Sequence, residues 1–114
     1  MTLESTYEEF KGLNSEYISF IEELLESNFT NYSEEEIVEK LANGKIVFET
    51  LKVKSDNIEI EDKDKENLMD LKYLIIDGLF LAIDLLNFYK LKEMERFKMR
   101  IVNYVRKKRV TERM

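Results

Sequence analysis

The chain has 114 residues, 24 of them Asp or Glu and 18 Lys or Arg, with no cysteine, histidine or proline. That length suits one domain with one core, and the missing cysteine excludes disulfides, thiolate nucleophiles, zinc–thiolate sites and iron–sulfur clusters, which fits a reducing, cytoplasmic setting. Charge is divided along the chain: residues 1–70 hold 19 acidic against 7 basic side chains, a net of −12, and residues 71–114 hold 5 against 11, a net of +6, an asymmetry that points to an electrostatic partner or a self-complementary assembly.

The first 20 residues, with Glu4, Glu8, Glu9 and Glu16, lack the basic start and apolar run of a secretory leader. Ser5 and Glu8 have capping-box spacing. Tyr7, Phe10, Asn14, Tyr17, Ile21 and Leu24 then recur at spacings of 3 and 4, predicting an amphipathic helix over about 5–29. Asn14 is the polar member of its stripe and, beside Gly12, marks a candidate bend.

The run 28–32 lacks helical patterning. Ser33 and Glu36 repeat the capping box, and Glu34 and Glu35 suit the positive end of a helix. Ile37, Leu41, Gly44, Phe48 and Leu51 extend that helix over about 34–54. The dipeptide Asn43-Gly44 leaves open a hairpin with strands near 46–53 and 58–60. Residues 55–63 read as an acidic linker in which Ile58 and Ile60 are candidate anchors.

Asp62 or Asp64 is the candidate cap of a third helix over about 64–88, apolar on nearly every side from Leu68 to Leu91 and therefore the expected centre of the fold. Its stretch Tyr73–Tyr89 contains Asp77, Asp84 and Asn87, which argues for a buried core helix rather than a membrane span. Gly78 and Ala82 form a flat spot for close helix approach. With Leu79, Ile83 and Leu86 they are the candidate packing or oligomer interface. A single helix from 64 to 109 would be about 68 Å long, so either the chain bends near 87–90 or the long helix finds its cover in a second subunit.

The last segment, about 90–109, separates an apolar stripe (Leu91, Met94, Phe97, Ile101, Tyr104, Val105) from a basic face of Lys92, Arg96, Arg100, Asn103 and Lys107. A basic tail, 106–114, adds Arg106, Lys108 and Arg109. Cations spaced along a rod suit nucleic-acid phosphates, an acidic protein groove or an anionic membrane. The alternative is that they neutralise acidic helices of the same bundle.

Asp70, Asp77 and Asp84 recur every seven residues. Two turns separate neighbours by about 10 Å, too far for one metal or a close acid–base pair, so they read as a solvent stripe or as partners of Lys72 and nearby basic groups. Glu34, Glu35, Glu36 and Glu39 head an acidic face that could mimic phosphates towards a basic groove.

Without His or Cys, a phosphate loop or a nucleophile elbow, no catalytic site, metal or cofactor is expected. The sequence thus predicts an all-α, three- to four-helix antiparallel bundle that self-associates. The leading functional expectation is a non-enzymatic interaction or regulatory protein that binds, and by one route inhibits, a macromolecular partner. The alternatives are a nucleic-acid-binding subunit using the basic helix, and a structural homo-oligomer.

Overall fold

The computed structural model describes residues 2–113, with side chains over 2–107. Thr2, not Ser5, opens the first helix. The Thr2 Oγ1 accepts from the Ser5 backbone N–H at 3.0 Å, and the Ser5 Oγ accepts from the Thr2 N–H at 3.1 Å. Ser5 is therefore the third helical residue of the box, and α1 spans Leu3–Glu26 without interruption at Gly12 or Asn14. The early start sets its buried stripe. Thr6 is buried in the position the pattern gave to Tyr7, its hydroxyl donating to the Thr2 carbonyl at 2.8 Å, while Tyr7 is exposed.

Ser33 caps α2, Glu34–Asp56, through the reciprocal box with Glu36 expected from the sequence. Helix continues through Asn43-Gly44 and over 46–53, so the hairpin alternative is not realised, and no strand occurs among the described residues. A short 3-10 turn, Asp62–Asp64, leads into α3, Lys65–Lys90, with Asp64 at the N-cap but making no side-chain capping bond. Ile58 is buried and anchors the linker.

The chain bends at 91–93 rather than running on as one rod. Lys92 takes a left-handed conformation, φ 59°. The Glu93 N–H donates to the Phe88 carbonyl at 2.8 Å, and the Lys92 N–H donates to Tyr89 at 3.0 Å, a helix stop of the Schellman type made without glycine. Helix α1 ends in a similar way, with Asn28 and Phe29 at positive φ and the Phe29 N–H donating to the Leu24 carbonyl at 2.8 Å. Helix α4 then spans Met94–Arg113.

The four helices alternate in direction. Helix α3 lies between α2 and α4, with α1 closing one side, in a body 47 × 29 × 20 Å across. The centre is built on two glycines. Tyr17 of α1 lies against Gly44 of α2, and Phe48 of α2 lies against Gly78 of α3, where an added Cβ would meet the Phe48 ring at 2.7 Å. Tyr17 and Phe48 meet edge to face at 5.7 Å. The flat spot at Gly78 thus receives a helix of the same chain. Gly78, Leu79, Ala82 and Leu86 are buried in this core and Ile83 is half-buried. At the end holding the α1–α2 and α3–α4 turns, Phe97 of α4 packs on Phe29 at 5.4 Å and on Tyr89 at 6.2 Å. No helix among the described residues is long and apolar enough to cross a membrane.

Candidate functional site

Two cations of the basic face of α4 are turned towards α3. Arg100 Nε donates to Asp84 Oδ2 at 2.9 Å and Lys107 Nζ to Asp77 Oδ2 at 2.9 Å. Both sides of this contact step by seven residues, so one antiparallel register satisfies both pairs. Asp77 and Asp84 thus find partners on α4 rather than at Lys72, which pairs with Asp56 of α2 at 3.4 Å. Asp70, the third member of the stripe, lines an open groove of about 1040 Å³ between the start of α1, the linker and the start of α3. Arg96 lies 3.5 Å from Glu93, and Asn103 and Arg106 are exposed. Lys92 belongs to the left-handed turn rather than to α4. The side chains of Lys108 and Arg109 lie outside the described residues.

The acidic face is disposed differently. Residues 12–39 contain eight glutamates and no Lys or Arg, and α1 and α2 bring them to one end of the bundle. Glu34, Glu35, Glu36 and Glu39 are all exposed. Glu36 is held by its capping box, its Oε1 accepting from the Ser33 hydroxyl at 3.1 Å. Lys40, the first cation after this segment, stands over the rings of Tyr32 at 5.1 Å and Phe20 at 5.8 Å. None of the eight carboxylates joins an ion pair among the described residues.

Among the described residues the interior holds a polar cluster built by the Asn14 position of the α1 stripe. The Tyr104 hydroxyl donates to Asn14 Oδ1 at 3.1 Å, while Asn14 Nδ2 and the Tyr17 hydroxyl are buried without a partner. Burial pushes the Tyr104 phenol up to about 12, with Asp77 adding to the rise and Arg100 opposing it. Burial, then the neighbouring Tyr104, raises Tyr17 as well. Both phenols therefore stay protonated through the neutral range, suited to structural hydrogen bonding rather than to proton transfer near pH 7. Among the described residues no group of three or more Asp or Glu is placed to hold a metal ion.

A surface that the periodicity did not single out runs along the outer side of α3. Met69 is 70 % exposed, Tyr73 68 % and Phe80 56 %. The signal was present in the sequence as a helix apolar on all sides, but which side the bundle leaves open depends on where its neighbours dock. Comparison with protein-family models, curated proteins and solved structures finds no match to this chain.

Proposed function

We propose that this is a non-enzymatic interaction protein that modulates a macromolecular partner by occupying a basic surface, the kind of groove with which a nucleic-acid-binding protein grips phosphates. The observation that carries the reading is the segregation of charge in the fold. Arg100 and Lys107 of α4 are engaged with carboxylates of α3, whereas the glutamates of 12–39, exposed except for half-buried Glu22, join no ion pair among the described residues. Outward carboxylates on rigid helices give complementarity and fast encounter with a positive surface, and occupation of such a surface excludes nucleic acid by competition. In the alternative reading, nucleic-acid binding through α4, a phosphate would compete with Asp84 for Arg100.

The test is capture on the immobilised full chain at low salt, run in parallel with a Glu35→Lys/Glu36→Lys/Glu39→Lys variant. The expected result is a partner retained by the wild-type chain, lost from the variant and displaced by double-stranded DNA. Capture indifferent to the three substitutions, or to DNA, overturns the reading. So does tight, steeply salt-dependent binding of the chain itself to DNA in fluorescence anisotropy, which would transfer the function to the basic helix.

A further inference from the structure

We propose that the groove at the head of α3 is the docking site for a cationic, amphipathic segment of a protein partner. The groove lies between the start of α1, the linker and the start of α3, at the opposite end of the bundle from the glutamates of 12–39. None of those glutamates takes part, so this contact stands apart from the one proposed above.

Two chemistries meet in the groove. Helix α1 contributes Leu3 and Tyr7, one turn apart, the linker contributes Ile60, and α3 contributes Leu71, Tyr73 and Leu74. Leu71 is fully buried and Leu3, Ile60 and Leu74 are half-buried, which makes an apolar floor from which exposed Tyr73 projects. Glu4, Glu59, Glu61, Asp64 and Asp70 surround that floor.

The lysines of this region are already engaged. Lys63, which also lines the groove, lies 3.6 Å from Glu61. Lys65 meets Asp62 at 3.3 Å and Lys72 meets Asp56 at 3.4 Å, both outside the groove. Glu4, Glu59, Asp64 and Asp70 therefore join no ion pair among the described residues.

Asp70 indicates what these carboxylates take. It belongs to the α3 stripe whose other members, Asp77 and Asp84, each hold a cation of α4, Lys107 and Arg100, at 2.9 Å. The next step of seven along α4 falls on Met114, which carries no side-chain charge. A lysine or arginine brought to Asp70 thus repeats a contact that the molecule makes twice within itself. Tyr73, three residues further on and a neighbour on the helix surface, offers the same cation the face of its ring.

The floor decides between kinds of cationic ligand. Unpaired carboxylates repel the phosphates of a nucleic acid, and among the described residues no group of three or more Asp or Glu is placed to hold a metal ion. At about 1040 Å³ the groove exceeds the roughly 300–1,000 Å³ of small-molecule sites. An amphipathic segment uses both parts of it, burying apolar side chains on Leu71 and Leu74 while its cations meet the carboxylates.

Fluorescence anisotropy of a short labelled peptide built of Lys and Leu at helical spacing, titrated with the full chain, tests the site. The expected result is saturable binding at least about tenfold tighter than that of the same peptide with Ser in place of Leu. Glu4→Lys/Asp70→Lys and Tyr73→Ala, all at exposed positions, are each expected to weaken binding at least about tenfold while leaving the helical circular dichroism unchanged. Glu35→Lys/Glu36→Lys/Glu39→Lys, a larger change in net charge, is expected to retain it. Absence of binding, equal binding of the Ser peptide, or equal loss in the two charge variants overturns the proposal, the last two by assigning the effect to net charge. It is equally overturned if the chain self-associates in sedimentation equilibrium and Glu4→Lys/Asp70→Lys alone makes it monomeric, since the occupant is then the basic tail of a second copy.

Discussion

Tyr104 and Asn14, 90 residues apart, share a 3.1 Å hydrogen bond in the interior between α4 and α1. A buried acceptor stripped of its donor keeps its desolvation cost, whereas removing both partners removes that cost as well. Tyr104→Phe is therefore expected to destabilise the fold by about 1–3 kcal/mol. Asn14→Leu/Tyr104→Phe together are expected to recover most of that loss, since the Asn14 amide also leaves its Nδ2 without a partner. Urea unfolding of the two single variants and the double variant measures the cycle. Strictly additive costs would show that the bond carries no coupling.

The same phenol gives the fold an alkaline limit. Its value rises from the ordinary 10.0 to about 12 on folding, so the folded chain holds this proton more tightly than the unfolded chain does. The contribution is intact below pH 10 and is lost as pH climbs from about 10 towards 12; Tyr17 is shifted in the same direction. Stability measured across pH 8–12 should fall over that window, and the fall should be shallower in Tyr104→Phe than in the wild-type chain. An equal slope in the two proteins would assign the alkaline loss to other groups.

The three glycines should answer differently to alanine. Gly12 is exposed in mid-helix and an added Cβ meets nothing within 4 Å, so Gly12→Ala is expected to stabilise by about 0.5–1 kcal/mol. At Gly78 the Cβ would press on the fully buried Phe48 ring, and overpacking of this sort costs about 1–3 kcal/mol. Gly44→Ala should behave like Gly78→Ala, because Tyr17 lies against it as closely. Thermal melts of the three variants give the order directly, and a stabilised Gly78→Ala would contradict the tight α2–α3 contact.

Caps at two helix starts invite comparison. Ser33 accepts from the Glu36 N–H at 3.2 Å at the start of α2, within the body of the chain. Ser33→Ala is expected to cost about 1 kcal/mol. Thr2 performs the same task at the start of α1, and because threonine is a weaker cap than serine, Thr2→Ala should cost less. Chemical denaturation of both variants would reverse this expectation if Thr2→Ala proved the more damaging.

Local patterns carried the reading of the sequence as far as local physics decides the structure. The Ser33–Glu36 box was legible because both partners lie within four residues. Ser5 was misassigned because Ser can stand third in a box as well as first, and Thr2 supplied the cap. Length alone pointed to a bend near 87–90, but its exact place at 91–93 left no signature, since a lysine rather than a glycine takes the left-handed position. The seven-residue aspartate rhythm was visible, but its partners Arg100 and Lys107 depend on the register of two helices that the sequence does not state. The open side of α3 was hidden for the same reason, because Met69 and Phe80 look like Leu71 and Ile75 until α2, α4 and α1 have taken their places.

The order of packing also bears on how fast the chain folds. Helix α2 meets α3, and α3 meets α4, each next to its neighbour in sequence, so most of the core forms by closing short loops at small entropic cost. Among the described residues, α4 meets the first part of the chain through Asn14 of α1 with Tyr104 and Phe29 of the α1–α2 turn with Phe97, contacts between positions far apart in sequence. Closure of that last seam should follow the collapse of the other three helices. Substitutions at Tyr104 are then expected to act mainly by speeding unfolding, while those at Phe48 slow folding itself.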